Sequence, residues 1–344
     1  MDLREIASAR GVPLRILVTR LRYLGDVILT TPVLGALKAC YPEAGLYYLT
    51  ERLYAPVLRG HPDLDGVIGT ERGAAGSLRA IAELRRLRPT VAIDLFYNPR
   101  SAAILRLSGI PVRIGGGRRG RRRLYTHLFA PPPGTRSAVM HHLAALDTVG
   151  CAVPGDPMPS VALLPGEREA GAAAIERAAG SLPERCVAMH PGGTWPSKRW
   201  PEGSFSRFAA MTRERAGAAV VLVTGPGEEE ITARVAAGAG EGVYPMPVMP
   251  IRETAAVLAA SDAVVADDGG IMHLSVALGR PTVGVFGPTE PDIWFPYEGR
   301  GPFRVVTRRE QCAPCHLHHC DDMRCLATIG PGEVFEALRH VTGW

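Results

Sequence analysis

Short apolar runs alternate with longer amphipathic segments along the whole chain. The apolar runs have the length and residue types of buried strands, and they lie at 15–20, 45–50, 66–69, 90–95, 186–190, 219–224, 264–266 and 282–286. Segments with helical spacing lie at 26–39, 51–59, 77–88, 101–108, 137–149, 167–179, 204–216, 231–237, 251–260 and 271–278. Strands that alternate with helices predict an α/β fold with parallel sheets.

The chain length and one loop-forming stretch divide this pattern into two halves. A chain of 344 residues is longer than one ordinary hydrophobic core supports. Residues 150–165 are rich in glycine and proline and form the best linker candidate. The sequence therefore predicts domains at 1–155 and 156–344, the second of which contains a Cys/His-rich segment, 312–325, and a C-terminal helix.

Composition argues against two classes of protein. Hydrophobic residues make up 46% of the chain, enough for two cores, but no apolar run approaches the length of a membrane span. Residues 1–10 are charged and lack the apolar centre of a signal peptide. Seven cysteines in a chain of this length do not suggest a secreted disulfide scaffold. We therefore expect a soluble, cytosolic protein.

A strand, an acidic glycine turn, a helix and a second strand follow one another over 264–288. In such a unit the turn lies at the carboxyl edge of a parallel sheet, where ligands bind beside the N-terminus of the next helix. The candidate ligand-binding residues are Asp268, Gly269, Gly270 and His273. A tight turn with a capping aspartate, and a packed histidine on the helix, explain the same residues without a ligand.

Residues 191–201 follow another predicted strand and combine glycines, hydroxyls and a fixed positive charge. The candidates here are Gly192, Gly193, Thr194, Ser197 and Lys198. Glycines let the backbone approach a ligand, and a lysine stabilises a diphosphate as its bond to another group breaks. The glycine spacing does not fit a Walker A loop, and a basic surface loop is the alternative.

Acidic residues follow two further predicted strands. Asp26 can accept a proton from a hydroxyl nucleophile, or it can cap the helix that begins there. The two roles are separable, because loss of a cap lowers stability whereas loss of a base lowers the rate. Glu228 and Glu229 belong to a run of glutamates that is typical of a solvated first helical turn. One of them can instead contact the ribose or base of a nucleotide.

Residues 113–123 are expected to form a glycine-rich loop that carries six arginines. Held in one loop, this charge attracts phosphate or an anionic surface, and a solvated loop is the alternative. Nucleic acid is a weaker reading because no aromatic platform accompanies the arginines. The candidate acceptor-binding residues are Arg113, Arg118, Arg119, Arg121, Arg122 and Arg123.

The Cys/His-rich segment has the character of a soft-ligand site. Its four cysteines are interleaved with His316, His318 and His319, but their spacing matches no established zinc motif. Structural zinc, an iron–sulfur site, simple thiols and a disulfide all remain open. The candidate ligands of a structural metal are Cys312, Cys315, Cys320 and Cys325.

Three motifs, in this order, resemble glycosyltransferase family 9, the ADP-heptose:lipopolysaccharide heptosyltransferases. They are Leu-Gly-Asp-Val-Ile-Leu-Thr-Thr-Pro-Val-Leu at 24–34, His-Pro-Gly-Gly-Thr with Lys-Arg-Trp-Pro over 190–201, and Asp-Gly-Gly-Ile-Met-His-Leu at 268–274 with Phe-Gly-Pro-Thr at 286–289. The resemblance implies the GT-B fold, in which two Rossmann-like domains with parallel sheets face a cleft. It also implies inverting, metal-independent transfer of heptose from ADP-heptose to a sugar hydroxyl of the lipopolysaccharide core, with no cofactor.

The resemblance also assigns roles to individual residues. Asp26 corresponds to the catalytic base, whereas Thr194 and Lys198 correspond to the groups that bind the donor phosphates. Asp268, Gly270 and His273 fall on the donor loop, and Glu228–Glu229 on the nucleotide-contacting acid. The family usually has Ser or Thr after Asp268, where this chain has Gly269.

Competing interpretations keep the fold and change the activity. The donor can be another nucleotide-sugar, the acceptor can be a glycan other than lipopolysaccharide, or the protein can bind nucleotide-sugars without catalysis. The presence of both Asp26 and Lys198 favours an enzyme. The expected partners are a nucleotide-sugar and an anionic, lipid-linked saccharide, which would meet the arginine loop in a peripheral contact at the cytosolic membrane face.

Overall fold

The computed structural model describes residues 1–117 and 120–344, which form two compact units, Met1–Ala162 and Leu163–Trp344. The predicted boundary, between residues 155 and 156, precedes this division. In the fully described stretch from Thr148 to Glu167, no helix or strand interrupts the connection. Each unit is built around its own parallel sheet.

Unit 1 (1–162) alternates strands with helices. Its strands are β1 (Arg15–Thr19), β2 (Gly45–Glu51), β3 (Gly66–Thr70), β4 (Val91–Asp94), β5 (Val112–Gly116) and β6 (His127–Phe129). Its helices are α1 (Leu3–Ala9), α2 (Leu24–Leu29), α3 (Thr31–Cys40), α4 (Gly73–Leu87), α5 (Pro99–Leu107), α6 (Ala138–Leu143) and α7 (Ala145–Thr148). Pro32 stands at the start of α3 and restarts the helix after a break at Thr30, because proline fits a first helical turn.

The six strands of unit 1 are all parallel and lie in the order β3-β2-β1-β4-β5-β6. This is the Rossmann order, and the chain reverses direction across the sheet between β1 and β4. Apolar side chains on a face of the sheet pack with those of the helices in a core that includes Leu17, Leu49, Ile68, Leu84, Ala92 and Ile104. A disulfide joins Cys40, at the end of α3, to Cys151.

Unit 2 (163–344) repeats this architecture. Its strands are β7 (Cys186–His190), β8 (Ala219–Leu222), β9 (Val243–Pro245), β10 (Ala263–Asp267), β11 (Thr282–Phe286) and β12 (Phe303–Thr307). Its helices are α8 (Glu167–Ala179), α9 (Glu202–Ala216), α10 (Glu229–Ala239), α11 (Ile251–Ala260), α12 (Gly270–Ala277), α13 (Pro291–Trp294), α14 (Arg324–Ala327) and α15 (Pro331–Thr342).

The strands of unit 2 are also parallel, in the order β12-β11-β10-β7-β8-β9. Counted from β7, this is again the Rossmann order, with its reversal point between β7 and β10. The core of the unit includes Met189, Phe205, Phe208, Leu222, Val265, Val285 and Leu338, all buried. The prediction of two Rossmann-like domains with parallel sheets is therefore confirmed.

Two local predictions in unit 1 are wrong. The predicted helix at 51–59 is only a 3₁₀ turn, Ala55–Leu58, because Pro56 lacks the N–H that an α-helix interior needs. The predicted arginine loop, 113–123, is wrong at its start, because Arg113 lies within β5 and pairs with Ala92 of β4. A second 3₁₀ turn, Arg122–Leu124, and β6 follow it.

The described residues contain no helix that is both long enough and apolar enough to cross a bilayer.

Candidate functional site

The predicted donor-binding residues of unit 2 lie at one edge of its sheet. The segments that follow β7, β8, β10 and β11 all begin at the carboxyl ends of neighbouring parallel strands. This edge is where open α/β sheets bind ligands, above all at the reversal point between β7 and β10. The sheet thereby brings together residues that are far apart in the sequence.

A lysine, an aspartate and a threonine form the centre of this edge. Lys198 Nζ lies 2.5 Å from Asp268 Oδ2, and the Thr289 hydroxyl donates to the same oxygen at 2.6 Å. The Lys198 Nζ also lies 4.6 Å from the centre of the Trp195 ring, in a cation–π contact. The Asp268 side chain is only 4% exposed and that of Lys198 17%. A partly exposed cation is thus held in a fixed position on a buried carboxylate.

The loop that carries Lys198 is closed on itself. Arg199 donates through Nε and Nη2 to the carbonyl of Gly193, at 2.9 and 2.6 Å. Gly193 has φ 151°, a conformation that residues with a side chain rarely adopt. Thr194, at the tip of the loop, is exposed. The predicted glycine is therefore needed for the shape of the loop.

Glu228, which follows β8, binds the loop that carries Lys198 and is not a solvated residue of a first helical turn. Its carboxylate accepts hydrogen bonds from the N–H groups of Gly193 and Gly225, at 2.7 and 2.9 Å, and lies 3.0 Å from His190 Nε2. A side chain at Gly192 would collide with it, because a Cβ there would lie 2.1 Å from Glu228 Oε2. Glu229, the next residue, is exposed on α10.

The contacts of Glu228 favour its charged form. Burial alone would raise its pKa, but the hydrogen bonds with His190, Gly193 and Gly225 outweigh burial and hold the pKa of Glu228 below the ordinary value of 4.5. The charged Glu228 carboxylate therefore stabilises the folded state fully above pH 4.5. This stabilisation is lost as the pH falls through the lower pKa that Glu228 has in the folded state.

We expect Glu228→Gln to lower the stability of unit 2 by about 1–2 kcal/mol at pH 7, because one buried hydrogen-bond acceptor is lost. The difference from the wild-type protein should shrink below pH 4. All four tryptophans of the chain lie in unit 2, so urea unfolding followed by tryptophan fluorescence measures this unit. Glu229→Gln, on the exposed neighbour, is the control. Equal losses in the two variants would contradict the role of Glu228.

Asp267 and His273 are explained by packing. Both oxygens of Asp267 accept the Trp200 N–H at 3.1 Å, and burial raises the pKa of Asp267 well above its ordinary value. His273, on α12, is buried with Nδ1 3.3 Å from the Tyr297 hydroxyl. Gly269 and Gly270 begin α12, whose first N–H groups lack helical partners. Of these residues, Gly269 and Gly270 are the ones positioned to approach a ligand.

The Cys/His-rich segment packs on two of the loops at this edge. Ser197 donates from its N–H to the His318 carbonyl at 3.3 Å, and from its hydroxyl to the Leu317 carbonyl. The N–H groups of Cys315 and His316 both donate to the Pro288 carbonyl at 3.1 Å. Cys312, Cys315, Cys320 and Cys325 are free thiols. Across the described part of the chain, no three His, Cys, Asp or Glu side chains are grouped to hold a metal ion.

Asp26 lies at the carboxyl edge of the sheet in unit 1. Its Oδ2 accepts the N–H of Tyr23 at 3.0 Å, so the helix-capping interpretation describes a real contact. Its Oδ1 is paired with a guanidinium nitrogen of Arg20, and Arg20 also donates to the Leu95 carbonyl at 3.0 Å. Arg20 therefore ties Asp26 to the segment after β4, across the reversal point of the sheet.

A second carboxylate at this edge was missed by the sequence analysis. Asp94 ends β4, is fully buried, and accepts hydrogen bonds from the N–H groups of Phe96 and Tyr97 and from the Tyr125 hydroxyl. Burial raises the pKa of Asp94 above its ordinary value. The signal available in the sequence was its position near the carboxyl end of the predicted strand 90–95. Its contacts give it a structural role.

The predicted acceptor-binding arginines do not share one environment. The guanidinium of Arg113 is committed to backbone, because it donates from Nε to the Leu124 carbonyl at 2.8 Å and from Nη1 to the Ile110 carbonyl at 2.5 Å. Arg121 is half-buried, whereas Arg122 and Arg123 are exposed. Arg118 and Arg119 lie outside the described residues. Arg113 is therefore a structural residue, contrary to its predicted place in a binding loop.

Comparison with known proteins agrees with this geometry. The model of glycosyltransferase family 9 (heptosyltransferase) matches residues 78–324. The chain belongs to this family. This family 9 protein is 24% identical over 323 residues to lipopolysaccharide heptosyltransferase 3 of Escherichia coli. The alignment covers 85% of this chain and 90% of the relative. It is therefore a glycosyltransferase, as the sequence motifs indicated.

Solved structures share the fold of this glycosyltransferase. A glycosyl transferase of family 9 from Veillonella parvula superposes with a TM-score of 0.83 at 22% identity, covering 96% of this chain and 97% of that chain. The ADP-heptose lps heptosyltransferase II of E. coli superposes with a TM-score of 0.80 at 23% identity, covering 96% and 98%. At these identities the superpositions establish the GT-B fold of the enzyme.

Proposed function

We propose that this glycosyltransferase transfers a heptose from ADP-heptose to a sugar hydroxyl of the lipopolysaccharide core. The observation that carries the proposal is the Lys198–Asp268–Thr289 group at the ligand-binding edge of unit 2, in a chain whose family is named for heptosyl transfer. The relatives that match it include lipopolysaccharide heptosyltransferases, and one solved structure of similar fold is an ADP-heptose lps heptosyltransferase. Unit 2, predicted as residues 156–344, is the donor-binding part in this proposal.

Lys198 is suited to stabilise a diphosphate leaving group. Its ammonium group has three N–H donors, and only part of this capacity is used by Asp268 and the face of Trp195. The first N–H groups of α12, beginning at Gly270, add the positive end of a helix dipole at the same edge. Thr194 and Ser197 were predicted to add hydroxyls, but Ser197 donates to Leu317, so Thr194 is the more available of the two.

Unit 1, predicted as residues 1–155, is the acceptor-binding part in this proposal. Asp26 removes the proton of the acceptor hydroxyl, and the oxygen attacks the anomeric carbon from the face opposite the phosphate. The bond from carbon to diphosphate oxygen breaks, ADP leaves with the electron pair, and the configuration inverts. The exposed Arg122 and Arg123 supply positive charge for an anionic, lipid-linked acceptor at the cytoplasmic membrane face.

A panel of nucleotide-sugars tests the proposal. Binding is measured by calorimetry, and transfer by product formation with and without a Kdo–lipid acceptor. We expect ADP-heptose to be bound and consumed only with the acceptor, and we expect EDTA to leave the rate unchanged. Faster turnover of another nucleotide-sugar would identify that compound as the donor. This outcome is worth testing because Gly269 lacks the hydroxyl that the family usually has after Asp268. Tight binding without turnover of any donor would identify a non-catalytic protein.

A further inference from the structure

We propose that residues 312–320, here named the strap, position Lys198 for the donor diphosphate, and that His318 does so by stacking on Trp195. The role of Lys198 in this inference rests on the proposed function. The strap is the part of the Cys/His-rich segment to which neither the family motifs nor a metal site assign a role. Its contacts reach two of the three loops that supply the Lys198–Asp268–Thr289 group, those of Lys198 and Thr289.

The first set of contacts fixes the loop that carries Lys198. The rings of His318 and Trp195 are stacked, with centres 3.8 Å apart and planes inclined by 27°. The two hydrogen bonds from Ser197 to the carbonyls of Leu317 and His318 hold the residue that directly precedes Lys198. The strap therefore grips the lysine loop through one ring and two backbone carbonyls.

The second set of contacts fixes the loop that carries Thr289. The Pro288 carbonyl accepts the N–H groups of both Cys315 and His316, and His316 Nε2 lies 2.8 Å from Glu290 Oε2. His316 has φ 54°, in the left-handed region that residues with a side chain seldom occupy. The residues on either side of Thr289 are thus held by the same short segment that holds Ser197.

Together these contacts make the strap a second connection between the two loops that Asp268 already joins. The carboxylate of Asp268 joins Lys198 to Thr289, and the strap joins the two loops from which these residues come. A lysine side chain has a long, flexible stem, so its ammonium group has a defined place only where surrounding groups supply one. The face of Trp195 is one of those groups, and His318 limits the movement of that ring.

The exposure of His318 separates this role from a structural one. His318 is exposed, so its replacement removes little buried surface. Replacement of a core residue would lower stability and activity together. Loss of the stack should instead leave unit 2 folded and allow Trp195 and Lys198 to move. Since small misplacements of a reacting group lower rates up to about a hundredfold, we expect a loss of about tenfold in kcat/KM for the donor.

The test compares His318→Ala with two matched variants. His319→Ala removes the adjacent exposed histidine, and His318→Phe retains an aromatic ring for the stack. For each variant we would measure kcat and KM for ADP-heptose, the affinity for ADP by calorimetry, tryptophan emission and the urea unfolding midpoint. We expect His318→Ala to raise KM and weaken ADP binding at an unchanged midpoint. His319→Ala should match the wild type, and His318→Phe should recover most of the loss.

Two results would overturn the inference. One is wild-type donor kinetics and ADP affinity in His318→Ala, which would show that the stack does not act on the donor site. The other is a loss in His318→Phe or His319→Ala as large as that in His318→Ala. ADP affinity and emission do not need turnover, so a wild-type enzyme that transfers no heptose would refute the proposed function and still leave the strap testable. A wild-type enzyme that binds no ADP would refute both.

Discussion

Asp26→Asn is expected to abolish transfer while leaving ADP binding and the fold unchanged. Asparagine keeps one oxygen that can accept the Tyr23 N–H, so the contact that caps α2 survives, whereas the ion pair with Arg20 is lost in this variant as in Asp26→Ala. It cannot take a proton from an attacking hydroxyl at neutral pH, and loss of a positioned general base lowers rates by about 10²–10⁴-fold. The measurements are kcat with saturating donor and acceptor, ADP affinity by calorimetry, and thermal unfolding by circular dichroism.

Asp26→Ala is the matched variant, because it removes both the base and the cap. We expect the same loss of rate together with a loss of about 1 kcal/mol in stability. The pair of variants therefore separates the two roles between which the sequence could not decide. Turnover close to that of the wild type in Asp26→Asn, with lowered stability in Asp26→Ala, would leave Asp26 as a cap alone.

The position of the site was predictable because strand order and direction follow from simple rules. Apolar runs separated by helical segments require parallel strands, and the residues after those strands meet at one edge. This rule predicts Asp26, Lys198 and Asp268 as candidate site residues, and the structure places each of them at the carboxyl edge of its own sheet. Nothing beyond the local pattern was needed.

The partners of these residues were not predictable, since they come from distant parts of the chain. Thr289 and Lys198 meet on Asp268 only because β10 and β11 are adjacent and β10 also pairs with β7. The contact between Ser197 and Leu317 spans 120 residues. Sequence periodicity indicates which face of an element is buried. It does not indicate which side chain from a distant loop contacts a given residue.

Glu228 and Arg113 make contacts that the local sequence pattern did not indicate. Three successive glutamates are typical of an exposed helix start, but the first lies where the N–H groups of Gly193 and Gly225 need an acceptor. Arg113 looked like part of a basic loop because glycines and arginines follow it. It lies in β5 instead, where its guanidinium donates to the backbone carbonyls of Leu124 and Ile110. In both cases, unpaired backbone groups recruited a charged side chain.

Lys198→Ala is expected to lower kcat/KM for the donor by about 10²–10³-fold, the loss typical for a group that stabilises charge in a transition state. In the same variant the Asp268 carboxylate, which is only 4% exposed, keeps its hydrogen bond from the Thr289 hydroxyl but has lost its cation. Breaking a buried ion pair in this way lowers stability by about 3 kcal/mol. Reduced activity in Lys198→Ala alone would thus have two explanations, catalytic and structural.

The double variant Lys198→Ala/Asp268→Asn separates the two explanations. Replacing the stranded carboxylate with a neutral amide should restore most of the stability, measured by urea unfolding with tryptophan fluorescence, because the uncompensated buried charge is gone. Donor use should stay low, because the cation that faces the diphosphate is still missing. Lys198→Arg, which keeps the charge, should retain part of the donor affinity. Recovery of activity along with stability in the double variant would show that Lys198 only neutralises Asp268, and the donor-phosphate role would then have to pass to the N–H groups of α12.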